Sequence, residues 1–237
     1  MSSAIKEIDR AGNNNRLPNK IVIAIRFHDG TVDPYQNAWE KEYKSRGCLW
    51  GGGLPSLPDL PLGSRVLELG CGNGKTLSAE LHYPWSIVAL DISDEAIRLG
   101  RTSAPVRADF LVADACLLPF RDLAFDAVFA FHVVGHVLHA DRETMAAEAT
   151  RVLRFGGKLF FRDFGVEDMR AGMGEEVEPG TFRRGQGVTT HYFTEYEAED
   201  LFSQMKAVNI FTHKWKMRVR GKDLLRAEVE AVFQKIF

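Results

Sequence analysis

The densest grouping of residues able to do chemistry is Glu68-Leu-Gly70-Cys-Gly72-Asn-Gly74-Lys75-Thr76, between the apolar run Arg65–Leu69 and a helix-length segment reaching Leu81. Glycines at such a turn let backbone approach a ligand closely and aim N–H groups at it from a helix start. Three ligand classes use loops of this kind. A Walker-type phosphate loop needs four residues between its first glycine and Gly-Lys-Thr. Here Gly70 and Gly74 are separated by three, and Leu69 stands where a glycine would be needed. A dinucleotide fingerprint places its third glycine one residue later, where this chain has Lys75. The third class is a nucleoside ligand without pyrophosphate. For that ligand Asp91, 21 residues after Gly70, closes the next apolar run, where a carboxylate can accept both ribose hydroxyls. Asp114 closes the run after it, within reach of an adenine amino group or as a cap on the following turn.

A second cluster, His132, His136 and His139, follows the fourth apolar run with i, i+4, i+7 spacing, near one face if the segment is helical. Zinc can use that spacing. No glutamate partner lies nearby, however, and Gly135 weakens a helix, so no metal is expected.

The elements that must hold these groups alternate along the chain. Pro34–Arg46 reads as a helix with Trp39 and Tyr43 one turn apart, followed by the Gly/Pro-rich stretch from Gly51 to Pro61. Arg65–Leu69, Ser86–Leu90, Phe110–Ala113, Asp126–Phe131 and Lys158–Phe164 read as buried strands. The helices between them include one capped by Ser93 and running to about Arg101, and one over about Arg142–Leu153, stopped by Phe155-Gly156-Gly157. Continuously apolar strands separated by helices imply an α/β domain with a parallel sheet covered on both faces. Thr194 caps a further helix to about Met205. Val208–Val219 alternates, with Lys and Arg on one face and Trp215, Met217 and Val219 on the other. Arg226–Ile236 fits either a helix or a strand, and a strand returning beside Val208–Val219 is expected. Residues 1–33 read as an extension and 34–237 as one domain, with a Gly-rich, lid-like insertion over about 166–193.

Composition sets outer limits. The 237 residues are 45% hydrophobic and 26% charged, enough for one domain with a large core. No apolar run approaches the roughly 20 residues of a membrane span, and no signal-peptide pattern opens the chain. Three cysteines, Cys48, Cys71 and Cys116, suit neither a disulfide framework nor a zinc cluster, so a reducing, cytoplasmic home is expected. The net charge of −2 is unlike that of a stand-alone nucleic-acid binder. It is uneven, though: residues 151–237 hold 15 Lys/Arg against 13 Asp/Glu, with Lys214, Lys216, Arg218, Arg220 and Lys222 close together. That strip reads as a solvated strand face or as a phosphate track.

Taken in order, Val66-Leu-Glu68-Leu-Gly70-Cys-Gly72-Asn-Gly74, Leu90-Asp91, Ala113-Asp114-Ala115, Phe125-Asp126-Ala127-Val128 and Arg151-Val-Leu-Arg-Phe-Gly156-Gly157 resemble the motif series of class I S-adenosylmethionine-dependent methyltransferases over about residues 36–237. The resemblance implies a Rossmann-like, seven-stranded, mostly parallel sheet with an antiparallel last strand and helices on both faces. It implies S-adenosylmethionine as cofactor, with Gly70, Gly72 and Gly74 at the methionine moiety, Asp91 at the ribose and Asp114 at the adenine. Glu68, Ile92, Ala115 and Phe131 complete the cofactor set, together with Trp39 and Tyr43, which resemble the aromatic pair at the start of the tRNA 3-methylcytidine methyltransferases. It also implies that His132, just past a strand end, lies at the acceptor pocket, where it would be the natural base for an oxygen or thiol acceptor.

A narrower likeness follows. Phe161-Arg162-Asp163-Phe164-Gly165, Thr181-Phe182-Arg183-Arg184-Gly185-Gln186-Gly187, Tyr192-Phe193-Thr194 and Leu201-Phe202 are similar to the tRNA 3-methylcytidine methyltransferases of the methyltransferase-like group. An RNA (tRNA) base is then the expected acceptor, with a small molecule as the alternative. A non-catalytic subunit of an RNA-modifying complex is a further one. That group often relies on partner proteins or added domains for tRNA, which makes a protein partner an expectation here too. Cytosine N3 carries a free lone pair and becomes cationic on methylation, so a carboxylate beside it would help, and Asp163 is the candidate. Arg162, Phe182, Arg183, Arg184 and Tyr192 are the expected acceptor contacts, with Phe182 or Tyr192 stacking on the base.

Overall fold

The computed structural model describes residues 23–24, 33–47, 57–103 and 108–236. Most of the expected extension, residues 51–56 of the Gly/Pro stretch, Cys48 and Phe237 lie outside the described residues. The first half of the chain runs β1 (Ile23–Ala24), α1 (Pro34–Arg46), β2 (Arg65–Leu69), α2 (Lys75–Glu80), β3 (Ser86–Asp91), α3 (Asp94–Ser103), β4 (Ala108–Ala113) and β5 (Phe125–Phe131). A 3-10 turn over Val134–His136 precedes α4 (His139–Val152) and β6 (Leu153–Phe164). Then come β7 (Glu175–Glu178), β8 (Thr181–Arg184), β9 (Val188–His191), α5 (Glu195–Leu201), β10 (Lys206–Val219) and β11 (Lys222–Gln234).

The main sheet has the order β1-β4-β3-β2-β5-β6-β11-β10. All neighbours from β1 to β6 pair in parallel, and β11 runs antiparallel to both β6 and β10. This is the expected seven-stranded, mostly parallel sheet whose last strand in sequence, β11, is antiparallel and lies between β6 and the edge strand β10; the two-residue β1 extends the far edge. Alternate side chains of each central strand meet different helix layers. Leu67, Leu69, Val88 and Leu90 join a core with Met145, Ala149 and Phe202 from the α4–α5 side. Val66, Ile87, Ala89 and Phe129 join Leu77 and Ile97 from the α2–α3 side. Burial on both faces is why these strands read as unbroken apolar runs. In β11, Val229, Ala231 and Phe233 are all buried, so the period-two reading of that segment holds.

Three boundaries differ from expectation. Phe155-Gly156-Gly157 does not end α4 but lies inside β6, because Gly156 N–H donates to the Lys235 carbonyl and Lys235 N–H to that of Gly157. The insertion is no loop: β7, β8 and β9 form a separate antiparallel sheet. The three histidines share no helix face. His132 has left-handed backbone (φ 53), His136 closes the 3-10 turn, and His139 opens α4.

Candidate functional site

The carboxyl ends of β2 to β6 open into a cleft of about 610 Å³. Its cofactor half is built by the turns that leave β2, β3 and β4. Gly70 takes φ +67, a conformation that suits glycine. A Cβ on it would lie 2.7 Å from Val133 Cγ2, so the glycine loop and the segment after β5 close on each other here. Asp91, at the end of β3, is buried; its Oδ2 accepts from Gly72 N–H at 2.9 Å and its Oδ1 from Ser93 N–H at 3.0 Å. The carboxylate therefore sets the shape of the loop and also fronts the cleft. Asp114, one strand over, accepts from Cys116 N–H at 2.8 Å, capping its turn while lining the same cleft. Glu68 is buried beneath the loop, and its Oε2 has no hydrogen-bond partner among the described residues.

Helix α1 closes this half from above. Asp33 Oδ1 caps it by accepting from Tyr35 and Gln36 N–H. The Tyr35 hydroxyl donates to Asp141 and accepts from Leu138 N–H, fixing one end to the start of α4. Glu40 accepts from the Ser93 hydroxyl and Glu95 N–H, fixing the middle to α3. Trp39 and Tyr43, with ring centroids 5.8 Å apart, are thereby held against the cleft.

Burial pushes the Asp91 carboxyl up to about 6, against the lowering effect of the Ser93 and Gly72 N–H groups. Glu68 is pushed well above the usual carboxylate range by burial, then by Glu80 and Asp91. Acids at this turn disfavour a pyrophosphate, and as hydrogen-bonding groups they suit a ligand bearing hydroxyls and an amino group. S-Adenosylmethionine meets that description, and the partnerless Glu68 oxygen and the two strand-end carboxylates are the groups that fit it. A pH dependence follows. Ionised Asp91 is the better acceptor of ribose hydroxyls, so cofactor affinity should be full above about pH 7. It should fall as pH drops through about 6, approaching tenfold per unit. Calorimetric titration between pH 5 and 8 checks this; an affinity flat across that interval would contradict it.

The other half of the cleft, where the acceptor is expected, is lined by elements far apart in sequence. Phe164 ends β6, and Arg170, beyond it, holds its guanidinium 3.9 Å from the Phe164 ring centroid. From the β10–β11 hairpin come Trp215, Met217, Arg226 and Glu228. Asp168, buried and pulled below the usual carboxyl range by Arg226 and Arg170 despite its burial, ties both arginines together. His132 lies against Phe164 at 4.5 Å between centroids, with Nε2 3.4 Å from Glu228 and Nδ1 3.8 Å from Asp163. Burial holds His136 below its usual value, so its neutral ring donates Nδ1–H to the Thr189 carbonyl at 2.7 Å, and the Thr189 hydroxyl returns a bond to the His136 carbonyl. That reciprocal pair fastens β9 to the cleft wall.

The cleft thus brings together Trp39, Tyr43, Glu68, Gly70, Gly72, Asp91, Ile92, Asp114, Ala115, Phe131 and His132. Gly74 stands just behind them as the left-handed N-cap of α2. The other expected residues lie elsewhere. Asp163 is fully buried and faces inward. Burial opposes its ionisation, yet His132 and the Gly135 N–H, the latter at 2.7 Å, hold it below the usual range. A Cβ on Gly135 would sit 3.0 Å from that carboxylate, so the glycine makes room for it. The expectation that Asp163 fronts the acceptor is corrected: Glu228 lines the cleft, and Asp163 supports His132 from behind. Arg162 pairs with Glu230 and lies over the Phe131 ring on the opposite face of β6. Phe182, Arg183 and Arg184 sit on β8, with Arg183 turned to Glu175. Tyr192 is buried against Phe164 and accepts from Arg184, so packing occupies the ring offered for stacking.

Sequence reasoning missed Trp215, Met217, Arg226, Glu228 and Arg170. For the first two the alternation of β10 was visible; what it faced was not. Among the described residues no group of His, Cys, Asp or Glu could hold a metal ion, and no helix is long and apolar enough to cross a membrane.

Comparison with known proteins agrees with this geometry. A methyltransferase-domain family profile matches residues 67–161, from β2 into β6. A tRNA N(3)-methylcytidine methyltransferase, Mettl2 of Drosophila melanogaster, is 28% identical over 90% of this chain and 71% of its own length. The METTL2 tRNA N(3)-cytidine methyltransferase of Gallus gallus is 25% identical over 72% of this chain, which spans about half of that relative. The 27-O-demethylrifamycin SV methyltransferase of Amycolatopsis mediterranei is 33% identical, over 53% of this chain and 47% of its own. Among solved structures, a SAM-dependent methyltransferase of Methanosarcina mazei superposes with TM-score 0.61 at 26% identity, covering 75% of this chain and 95% of its own.

Proposed function

We propose that this chain, a class I S-adenosylmethionine-dependent methyltransferase, methylates a nucleobase in RNA, with a tRNA cytidine as acceptor. The observation that carries the reading is a likeness to the fly tRNA N(3)-methylcytidine methyltransferase that runs over 90% of the chain, beyond the shared cofactor domain. The acceptor half suits such a substrate: Trp215, half-buried in its wall, offers a flat apolar surface, and Glu228 lines the same cleft as a carboxylate.

When bound, S-adenosylmethionine supplies a methyl group on a positively charged sulfur, ready for in-line transfer. The chain's own part is to position and to exclude water. Asp91 and Asp114 fix the nucleoside end, and α1 covers it. Glu228, held 3.4 Å from His132 Nε2, faces the positive charge that grows on a cytosine ring as N3 is alkylated. Asp163, 3.8 Å behind His132 Nδ1, places negative charge beside that imidazole. Cytosine N3 needs no proton removed, so this route asks no base of His132. A small-molecule oxygen acceptor is the second reading, favoured by His132 standing in the cleft as a candidate base and by the likeness to the rifamycin enzyme. On the RNA reading, delivery of so large an acceptor falls to this chain's surface or to a protein partner.

Two experiments test the reading. Label from methyl-labelled cofactor should enter bulk tRNA and, after digestion to nucleosides, run as 3-methylcytidine; label that enters a metabolite extract instead would transfer support to the small-molecule reading. Glu228→Gln should slow single-turnover methylation by about tenfold or more while cofactor affinity stays near wild type. An unchanged rate would remove Glu228 from the chemistry.

A further inference from the structure

We propose that the β10–β11 hairpin is an RNA-binding arm: its inner face walls the acceptor half of the cleft, and its outer face is a cation track for the phosphates of the same RNA strand. The inference rests on the RNA reading above. β11 pairs with β6 from Glu228 to Gln234, so Lys222–Ala227 and their β10 partners Lys214–Val219 run on past the carboxyl end of β6. Two bonds fasten this projecting half to the chain beyond β6: Gly165 N–H donates to the Ala227 carbonyl and Met169 N–H to that of Leu225. The arm is therefore a fixed wall. Trp215, Met217 and Arg226 face the cleft.

Strand alternation sends Lys214, Lys216 and Arg218 to the other face, about 6.6 Å apart; the turn adds Arg220, and Lys222, opposite Val219, stands at the arm's tip on the cleft side. That step is of the order of the distance between neighbouring phosphates on an extended nucleic-acid strand. No acidic residue occurs between Asp200 and Asp223. Lys214 pairs with Glu167 and Arg218 with Asp223, whereas Lys216, Arg220 and Lys222 have no ion pair among the described residues. A simpler account would be that charges protect the open edge of the sheet from other chains. Their distribution argues against it. The half of β10 that lies against α5 leaves Val208 53% and Phe211 44% exposed with Lys206 as its one cation, while five cations gather where the arm passes the cleft mouth. Positive charge is concentrated beside the acceptor site, not along the edge that would need guarding.

The test uses the full chain carrying Lys216→Ala, Arg220→Ala and Lys222→Ala together; none of these residues lines the cleft. KM for tRNA at about 0.15 M salt should rise roughly tenfold or more, with kcat and cofactor affinity near wild type. The slope of log affinity for tRNA against log salt should fall by about two to three. Lys216→Arg with Lys222→Arg should keep the wild-type slope. An unchanged KM and slope in a preparation whose wild type methylates tRNA would overturn the arm and leave the RNA reading standing. The arm is equally overturned if the triple variant loses binding to vesicles of acidic phospholipid while its KM for tRNA stays put. A wild type that labels no RNA would overturn the RNA reading, and the arm with it.

Discussion

Asp91→Ala should weaken binding of S-adenosylhomocysteine by roughly 30-fold to 150-fold, or about 2–3 kcal/mol. The size of the effect comes from two losses that coincide. On the proposed binding mode the carboxylate accepts the ribose hydroxyls, and a paired bond to a charged acceptor is among the stronger ones. The same two oxygens also hold Gly72 N–H at 2.9 Å and Ser93 N–H at 3.0 Å, both in buried surroundings. Alanine leaves those donors unsatisfied and lets the glycine loop relax away from the shape the ligand needs. Asp91→Asn keeps one acceptor oxygen and should fall between wild type and alanine. Calorimetry with the homocysteine product reads the effect directly, and an affinity within about threefold of wild type would show that Asp91 does not hold the ligand.

Gly70→Ala should go further and remove measurable cofactor binding, a loss of at least about 100-fold. Two costs act at one atom. A φ of +67 is strained for alanine, and the new Cβ would lie 2.7 Å from Val133 Cγ2 and 2.9 Å from its Cβ. Left-handed strain and overpacking each cost about 1–3 kcal/mol, and here they can be relieved only by moving the loop that cradles the ligand. Val133→Ala deletes the nearer of the clashing atoms and leaves the strain untouched. The double variant should therefore recover part of the stability lost by Gly70→Ala, with a favourable coupling of about 1 kcal/mol in chemical denaturation. Simple additivity of the two changes would show that the loop and the segment after β5 are not in contact.

These predictions draw on the part of the molecule that was most legible. Residues at the ends of parallel strands face the crevice whatever surrounds them, so Gly70, Asp91 and Asp114 could be placed from local pattern alone. The acceptor half was not legible for a definite reason. Its walls arrive through the long antiparallel pairing of β10 with β11 and of β11 with β6, which brings Trp215 and Glu228 beside Phe164 from more than 50 residues away. Nothing local in Trp215-Lys-Met217 announces that neighbour. Asp163 was misplaced by one step of alternation. It shares its face with Phe161 and stands opposite Val229, both in the α4–α5 core, whereas Arg162 and Glu230 share the other face. The buried parity of Phe161 was the signal available. β7–β9 escaped notice because each strand has four residues and Glu175-Glu-Val-Glu178 lacks a buried alternation.

A crystal structure of the chain grown with S-adenosylhomocysteine tests the binding mode most directly. The predicted result has both ribose hydroxyls on the Asp91 carboxylate, the adenine amino group toward Asp114, and the amino-acid tail beside Gly70, Gly72 and Glu68, with the sulfur directed at Phe164 and Glu228. A cleft that holds phosphates at the glycine loop, or a ligand bound elsewhere on the surface, would contradict it.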